Sequence, residues 1–292
     1  MSPPTVKLND GTQIPAIGFG TGTALFGRDA ENSVKRAIEC GFTHLDGAQA
    51  YDNEDSLGAG MKAAGKPRSE LYIVTKLKQG FGAAQVKPSL VESLRKLDLD
   101  FVDLFLIHSP RPLKPEDGTL QDLWQAMEAV HAEGLAKSIG VSNFTVDDLK
   151  AILPGAKIIP SVNQVEIHPY VWKAVEPIVT YGRENGNITP VSYGGLTPLV
   201  RAAGGPVDQV LPPIVERLTK TLGKPVTPAQ VLSKWVTHKG AIIVTTSSKE
   251  ARIKEYLEAF QVPDLTAQEI QAIDDAGAKL HKRIFMRHVF GE

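Results

Sequence analysis

The stretch Thr43-His44-Leu45-Asp46-Gly47-Ala48-Gln49-Ala50-Tyr51-Asp52-Asn53-Glu54 decides the fold of this chain. Its first part predicts a short buried strand, His44 to Asp46, which ends in a polar loop that carries Tyr51. A helix is then predicted to begin near Asn53 or Glu54. The stretch places a carboxylate and a phenol at the carboxyl end of one strand, which is where the chemistry of a barrel of parallel strands lies.

Buried apolar segments alternate with segments of helical periodicity along the rest of the chain. The predicted strands are 16–20, 44–46, 71–76, 101–108, 138–142, 158–166, 188–193 and 241–245. Helices are predicted between them, and an extra C-terminal helix is predicted at 266–276. Right-handed crossovers close such a set of strands most simply as a (β/α)8 TIM barrel of the α/β class.

Three further features complete this prediction. The dipeptide Asp10-Gly11 predicts a turn between short antiparallel strands, so an N-terminal β-hairpin is expected to cap the barrel floor. Residues 194–209 are rich in glycine and proline and predict a long loop that acts as a flap. A single domain covering 1–292 is expected, because one barrel of this length can bury a large core.

Composition excludes several classes of partner. The chain has 32 basic and 33 acidic residues without a run of like charge, so we expect no nucleic-acid or membrane-surface binding and a small-molecule partner. No secretory signal and no apolar run of membrane-spanning length is present, which predicts a cytoplasmic protein. A monomer is expected because no exposed apolar stripe stands out. The seven histidines show no metal-ligand spacing, so no metal site is predicted.

Polar side chains end three successive predicted strands. We expect Asp46 and Tyr51 at the carboxyl end of strand two, Lys76 at that of strand three and His108 at that of strand four. Each residue alone could be a cap, a loop aromatic, a solvated lysine or a satisfied histidine. Together they indicate function, because buried polar groups at one level are costly without a purpose.

The acidities of these groups indicate a reaction class. A free tyrosine has a pKa of about 10, and a neighbouring cation such as Lys76 makes its proton easier to release. Asp46 would keep Lys76 charged, and a neutral His108 could donate a hydrogen bond to a carbonyl oxygen. The set is suited to polarising a carbonyl and protonating the alkoxide, and it contains no nucleophile paired with a base.

Such a reaction needs a hydride donor, and the later strand ends carry groups that suit a nicotinamide. Amide and hydroxyl groups match a carboxamide, and an aromatic face can stack on the pyridine ring. The residues that provide these groups are Ser142, Asn143, Gln164 and Tyr193.

A phosphate site is predicted after the last strand. Residues 245–249 open a helix with hydroxyl groups and a lysine, and Arg252 follows one turn later. The alternative is a plain helix cap by Ser247 or Ser248.

A Rossmann fingerprint is the rival explanation for the glycines of Gly18-Phe19-Gly20-Thr21-Gly22-Thr23. It fails on spacing, because Thr23 stands where the third glycine belongs. The segment is more consistent with close approach of the first strand's end to a ligand, so Gly20 and Thr21 are predicted to contact the cofactor.

With these residues identified, the chain resembles the aldo-keto reductase family over about residues 5–290. The resemblance rests on segments 18–22, 46–54, 75–76, 106–108, 140–144 and 163–166. It implies a tetrad in which Tyr51 is the proton donor, assisted by Asp46, Lys76 and His108, and an extended NADP(H) across the barrel mouth.

The resemblance also implies roles in cofactor binding. Ser142, Asn143 and Gln164 would hold the carboxamide, and Tyr193 would stack on the nicotinamide. Leu196 and the flap after it would cover the pyrophosphate.

The chain departs from the family pattern at several positions. Gly47, Ser109 and Gly194 stand where larger or hydroxyl side chains are frequent, which predicts a roomier substrate pocket. Thr246 replaces the lysine expected at the 2'-phosphate. The side chains that could still meet this phosphate are Ser247, Ser248, Lys249 and Arg252, so NADPH is predicted over NADH. The variation is similar to that of fungal members that reduce conjugated polyketones, ketopantoyl lactone or α-keto esters.

Three functions are weighed. The first is an NADPH-dependent reductase of aldehydes or activated ketones. The second is a cofactor-binding regulatory subunit, because the family includes potassium-channel β subunits. The third is a Schiff-base lyase that uses Lys76, against which the adjacent Asp46 argues by keeping the amine protonated.

Overall fold

A closed barrel of parallel strands organises the chain, as predicted. The computed structural model describes residues 3–111 and 115–291. The antiparallel hairpin consists of β1 (Thr5–Lys7) and β2 (Gln13–Pro15). The barrel strands, which pair in chain order and close between the last and the first, are β3 (Ile17–Gly20), β4 (His44–Asp46), β5 (Tyr72–Leu77), β6 (Val102–Ile107), β7 (Ala136–Ser142), β8 (Val162–Glu166), β9 (Thr189–Tyr193) and β10 (Ile242–Thr245).

Helices surround the barrel. They are α1 (Glu31–Cys40), α2 (Glu54–Ala64), α3 (Val86–Leu97), α4 (Leu120–Ala132), α5 (Val146–Ile152), α6 (Trp172–Glu184), α7 (Thr197–Val200), α8 (Pro206–Leu222), α9 (Pro228–His238), α10 (Glu250–Glu258), α11 (Ala267–Ala278) and α12 (Arg287–Phe290). The extra C-terminal helix is therefore confirmed as α11. Among the described residues, no helix is long and apolar enough to cross a membrane.

Strand alternation divides the core into two parts and explains the position of the site. Along β5, Ile73 and Leu77 pack outward against the helices, whereas Tyr72, Val74 and Lys76 face the barrel interior. The apolar layers of the interior therefore end, toward the carboxyl ends of the strands, in polar side chains. This alternation is the physical reason why a lysine can end an otherwise apolar strand.

The hairpin closes the opposite end of the barrel. Leu8 and Ile14 are buried and belong to the interior core. The side-chain amide of Asn9 donates to the carbonyl oxygens of Pro160 and Gly186 at 3.0 and 2.8 Å. The predicted cap of the floor is confirmed.

The predicted long loop at 194–209 is wrong in its local structure. The short helix α7 lies within it, and α8 begins at Pro206. Proline is often a loop signal, but Pro198 and Pro206 both occupy the first turn of a helix, where the missing amide proton costs nothing.

Candidate active site

A cavity of about 1160 Å³ opens at the carboxyl ends of the strands. Its walls include the predicted residues Asp46, Tyr51, His108, Gln164 and Tyr193. The cavity therefore lies where the chemistry of a parallel barrel is expected.

Lys76 connects the acidic groups of the site. Its side chain is fully buried, and its Nζ donates to Asp46 Oδ1 at 2.5 Å and to the Gly47 carbonyl oxygen at 2.8 Å. The same Nζ lies 3.5 Å from the hydroxyl oxygen of Tyr51. The structure thus brings the three residues together, with Lys76 in contact with both Asp46 and Tyr51, as the sequence predicts.

Burial and charge compete in this cluster. Burial opposes the charge of Lys76, but Asp46 and Tyr51 outweigh it, so the pKa of Lys76 is raised. Burial also raises the pKa of Tyr51, and the opposing effect of Lys76 is smaller. Lys76 therefore lowers the pKa of Tyr51 in the expected direction, but the effect of burial is larger and the pKa stays above its usual value.

His108 completes the cluster as a neutral group. Its ring lies edge-on to that of Tyr51, with centroids 5.5 Å apart. Burial, and then the charge of Lys76, lower the pKa of His108 to about 3. The imidazole is therefore uncharged at neutral pH and can donate a hydrogen bond without carrying a charge into the site.

Gln164 is hydrogen-bonded to this cluster. Its Nε2 donates to Asp46 Oδ2 at 2.9 Å. Because a carboxylate only accepts hydrogen bonds, this contact fixes the orientation of the amide. The Oε1 atom of Gln164, which lines the cavity, is left as an acceptor. Gln164, a predicted cofactor contact, is therefore hydrogen-bonded to a member of the predicted tetrad.

Hydrogen bonds connect Ser142, Asn143 and Tyr193 to one another and to the backbone. Ser142 Oγ donates to the Gln164 carbonyl oxygen at 2.8 Å, and Asn143 Nδ2 donates to the His108 carbonyl oxygen at 2.9 Å. The Tyr193 hydroxyl donates to Asn143 Oδ1 at 2.6 Å. The structure brings these residues to the cavity, and their contact with a carboxamide stays a prediction.

Only some of the predicted residues at the end of β3 and in the loop after β9 line the cavity. Gly20 and Leu196 line the cavity. Thr21 does not, because its side chain is fully buried and its backbone amide donates to the Asp46 carbonyl oxygen at 2.9 Å. The side chain of Thr21 turns into the protein where the strand ends, and its contact with the cofactor stays a prediction.

The predicted phosphate segment reaches the cavity at only some positions. Thr246 and Arg252 line it, whereas Ser247, Ser248 and Lys249 do not. Ser247 Oγ accepts a hydrogen bond from the Lys249 amide at 3.0 Å in the turn before α10, and the N-cap residue of that helix is Lys249, which forms no side-chain cap. Ser248 and Lys249 are exposed beside the cavity. The Thr246 hydroxyl is buried without a hydrogen-bond partner in the described structure.

The roomier pocket is supported at one of the three positions that suggested it. Gly194 lines the cavity, but Gly47 and Ser109 do not. A Cβ atom at Gly47 would lie 3.1 Å from Leu57 Cδ1, so no free space exists there. The hydroxyl of Ser109 donates to the Arg111 carbonyl oxygen at 2.9 Å.

The sequence predicts that residues 285–290 help to shape the pocket, whereas it gives no indication that Phe26 is a wall of the cavity. Phe26 lies on the rim with 56% of its surface exposed, and its ring centroid is 6.3 Å from that of Tyr51. Phe285 and Met286 come from the C-terminal segment. For Phe26 the only signal in the sequence was its aromatic side chain, and nothing local shows that the two segments meet at one mouth. Among the described residues, no cluster of side chains suited to a metal ion is found.

Gly22 leaves the space that Tyr51 occupies, which gives a first prediction. A Cβ atom at Gly22 would lie 2.9 Å from Tyr51 Cζ, although its φ of −74° suits any residue. Gly22→Ala is expected to displace the phenol and lower kcat for carbonyl reduction by about 10- to 100-fold. Steady-state kinetics and thermal unfolding measure this effect.

The matched control for this prediction is Gly195→Ala. Gly195 lines the same cavity, but its added methyl group would meet nothing closer than 3.4 Å. Equal losses of kcat in both variants would contradict the steric role of Gly22.

Comparison with known proteins gives the family. The model of the Aldo/keto reductase family matches residues 16–278. An NAD/NADP-dependent indole-3-acetaldehyde reductase of Schizosaccharomyces pombe is 40% identical over 96% of this chain and 97% of its own length. An NADPH-dependent alpha-keto amide reductase of Saccharomyces cerevisiae is 33% identical over 98% and 95%.

A solved structure shares the fold. A Bombyx mori aldo-keto reductase in complex with NADP aligns with a TM-score of 0.86 and 31% identity over 99% of this chain and 97% of that one. The barrel and the polar cluster at its mouth, together with these relatives, define a nicotinamide-dependent oxidoreductase. The chain belongs to the aldo/keto reductase family.

Proposed function

We propose that this protein reduces aldehydes or activated ketones, such as diketones, α-keto lactones and α-keto esters, to alcohols with NADPH and with Tyr51 as the proton donor. The observation that carries the proposal is the placement of Lys76 Nζ between Asp46 and the Tyr51 hydroxyl, beside a neutral His108. Monomeric state and cytoplasmic location stay predictions from the sequence.

The residues present fit a nicotinamide nucleotide. Gln164 Oε1 is free to accept a hydrogen bond, Tyr193 presents a half-buried ring, and Thr246 and Arg252 offer a hydroxyl and a cation farther along the same cavity. When bound, the cofactor supplies hydride to the carbonyl carbon.

The protein's own groups perform the remaining work. His108 donates a hydrogen bond that orients the carbonyl oxygen toward Tyr51, and the Tyr51 hydroxyl transfers its proton to the developing alkoxide. Lys76 stabilises the phenolate that remains, while Asp46 holds the ammonium charge in place. The charge needed by the reaction is therefore in position before the substrate arrives.

The alternative functions differ in their support. The raised pKa of Lys76 and its full burial disfavour a Schiff-base lyase, which needs a neutral, accessible amine. A cofactor-binding regulatory subunit of the same fold remains the second candidate. Steady oxidation of NADPH by a reactive diketone would decide for the enzyme, and binding without turnover would decide for the regulatory subunit.

The substrate is best sought with a panel. Spectrophotometric oxidation of NADPH and of NADH would be measured against aldehydes, isatin, α-keto lactones and diketones. The names of the two yeast relatives, which reduce indole-3-acetaldehyde and alpha-keto amides, support including aromatic aldehydes and activated ketones. Absence of turnover across the panel with both cofactors would contradict the proposed function.

Cofactor preference gives a second prediction. Arg252 lines the cavity, and Thr246 stands where a lysine would add a second cation. Thr246→Lys is expected to raise the ratio of kcat/KM for NADPH to that for NADH by about tenfold, because a charged hydrogen bond to the 2'-phosphate is added. Initial rates at varied cofactor concentration measure this ratio.

Thr246→Met is the control, because it matches much of the length of lysine without the charge. If both variants shift the ratio equally, or if neither shifts it, position 246 does not meet the 2'-phosphate and NADPH selection lies elsewhere.

A further inference from the structure

Glu166, at the carboxyl end of β8, is a fully buried carboxylate that takes no part in the proposed reaction. It accepts hydrogen bonds from the backbone amides of Ile284 and Phe285, which are 118 and 119 residues away in sequence. The donor–acceptor distances are 3.1 and 3.0 Å, and a second contact of Ile284 N with the other carboxylate oxygen is 3.2 Å. The carboxylate therefore joins the barrel to the C-terminal segment.

A histidine completes this arrangement. His168 Nε2 lies 2.9 Å from Glu166 Oε1, and both side chains are fully buried. Because the carboxylate can only accept, His168 must carry its proton on Nε2. Both oxygens of Glu166 are therefore satisfied, which is the condition under which a buried carboxylate is tolerated.

The segment that Glu166 holds forms a wall of the cavity. Phe285 packs edge-on against Tyr193, with ring centroids 5.6 Å apart, and Arg201 Cζ lies 5.2 Å from the centroid of the Phe285 ring. Phe285 and Met286 both line the cavity. Gln79 Nε2, from the loop after β5, lies 3.6 Å from Met286 Sδ, so the segment reaches across the mouth.

The backbone of this segment is held in an uncommon conformation. Met286 has a φ of 52°, in the left-handed region that is rare for residues other than glycine. Such a conformation persists only where the surrounding contacts determine it. The contacts to Glu166 directly precede it in the chain.

We propose that Glu166 is a positioning residue: by holding the amides of Ile284 and Phe285 it fixes Phe285 and Met286 as a wall of the substrate cavity and thereby determines the size of the carbonyl compound that is accepted. The effect on substrate size rests on the proposed function. The anchoring of the segment does not, because it follows from the hydrogen bonds alone.

The test compares Glu166→Gln with a matched control, Glu128→Gln. Glu128 is also a buried carboxylate that accepts two backbone amides, those of Lys157 and Ile158 at 2.6 and 2.9 Å, but it does not line the cavity. Glutamine at 166 keeps the shape but turns one acceptor into a donor that faces other donors. Glu166→Asp, which keeps the charge but shortens the reach, serves as the second variant if Glu166→Gln does not fold.

Hydrogen exchange measures directly how firmly Glu166 holds the amides of Ile284 and Phe285. In Glu166→Gln, the amides of Ile284 and Phe285 are expected to exchange about tenfold faster, since a charged hydrogen bond is lost. The Lys282 amide, which donates to the Tyr170 carbonyl oxygen, is expected to keep its protection. In Glu128→Gln, the amides at 284 and 285 should be unchanged. Unchanged exchange at these two amides in the Glu166 variant would overturn the proposal.

The preference for large or small substrates tests the proposed effect on substrate size. The ratio of kcat/KM for a bulky aromatic carbonyl compound to that for a short aliphatic aldehyde is expected to change at least about fivefold in Glu166→Gln, mainly through KM, and to stay constant in Glu128→Gln. Faster exchange with a constant ratio would overturn the role in substrate size. Because exchange needs neither cofactor nor turnover, failure of the anchor is distinguished from failure of the proposed function.

Discussion

Replacement of Tyr51 by phenylalanine is expected to lower kcat for carbonyl reduction by about a thousandfold and to leave the dissociation constant for NADPH unchanged. The ring would still pack against His108, but no proton would be available for the alkoxide beside the charged Lys76. Stopped-flow measurement of NADPH oxidation, with cofactor affinity from fluorescence quenching, separates the two effects.

Tyr72→Phe is the matched control for Tyr51→Phe. Tyr72 lies in the barrel interior against His44 and does not line the cavity, so loss of its hydroxyl should leave kcat within a few-fold of the original. If Tyr51→Phe kept more than a tenth of the original kcat, another group would have to donate the proton.

Replacement of Lys76 by methionine is expected to lower the free energy of unfolding by about 3–5 kcal/mol, because the buried carboxylate of Asp46 loses its counterion. The side chain of Asp46 is only 2% exposed, and its remaining side-chain partner, Gln164, is neutral. Urea denaturation at pH 7 measures the loss. Turnover should collapse as well, because Tyr51 would lose the cation that stabilises its phenolate.

The double variant Asp46→Leu, Lys76→Met distinguishes stability from catalysis. Removing both charges is expected to restore most of the stability, because a well-packed apolar pair avoids the desolvation of two ions, while turnover remains lost. A double variant that unfolds as readily as Lys76→Met would show that the lost stability does not come from the unpaired carboxylate.

The central residues of the site were predictable because they depend on local alternation. Asp46 ends β4, Lys76 lies next to the end of β5 and His108 directly follows β6, and the side-chain period of two directs each of them toward the barrel interior. A closed barrel then brings the ends of neighbouring strands to one rim. Nothing beyond periodicity and topology is needed to reach this cluster.

The sequence was less informative where a turn or a distant contact decides the outcome. Thr21 and Ser247 follow strands, yet neither lines the cavity. The Thr21 amide continues the pairing of β3 with β4, and the Ser247 hydroxyl accepts from the Lys249 amide in the turn before α10. The sequence predicts that residues 285–290 shape the pocket, but not that the Phe285 amide donates to Glu166, which lies 119 residues earlier in the chain. Contacts across such separations leave no periodic signal in the chain.

The N-terminal hairpin acts as a stopper in the floor of the barrel. The family model begins to match at residue 16, just after Leu8 and Ile14, which fill the lowest layer of the interior. A recombinant fragment that begins at residue 16 would expose the apolar barrel interior to water and to other chains, so we expect it to aggregate and precipitate. Affinity tags are better placed ahead of Thr5, where the chain has not yet entered the first strand of the hairpin.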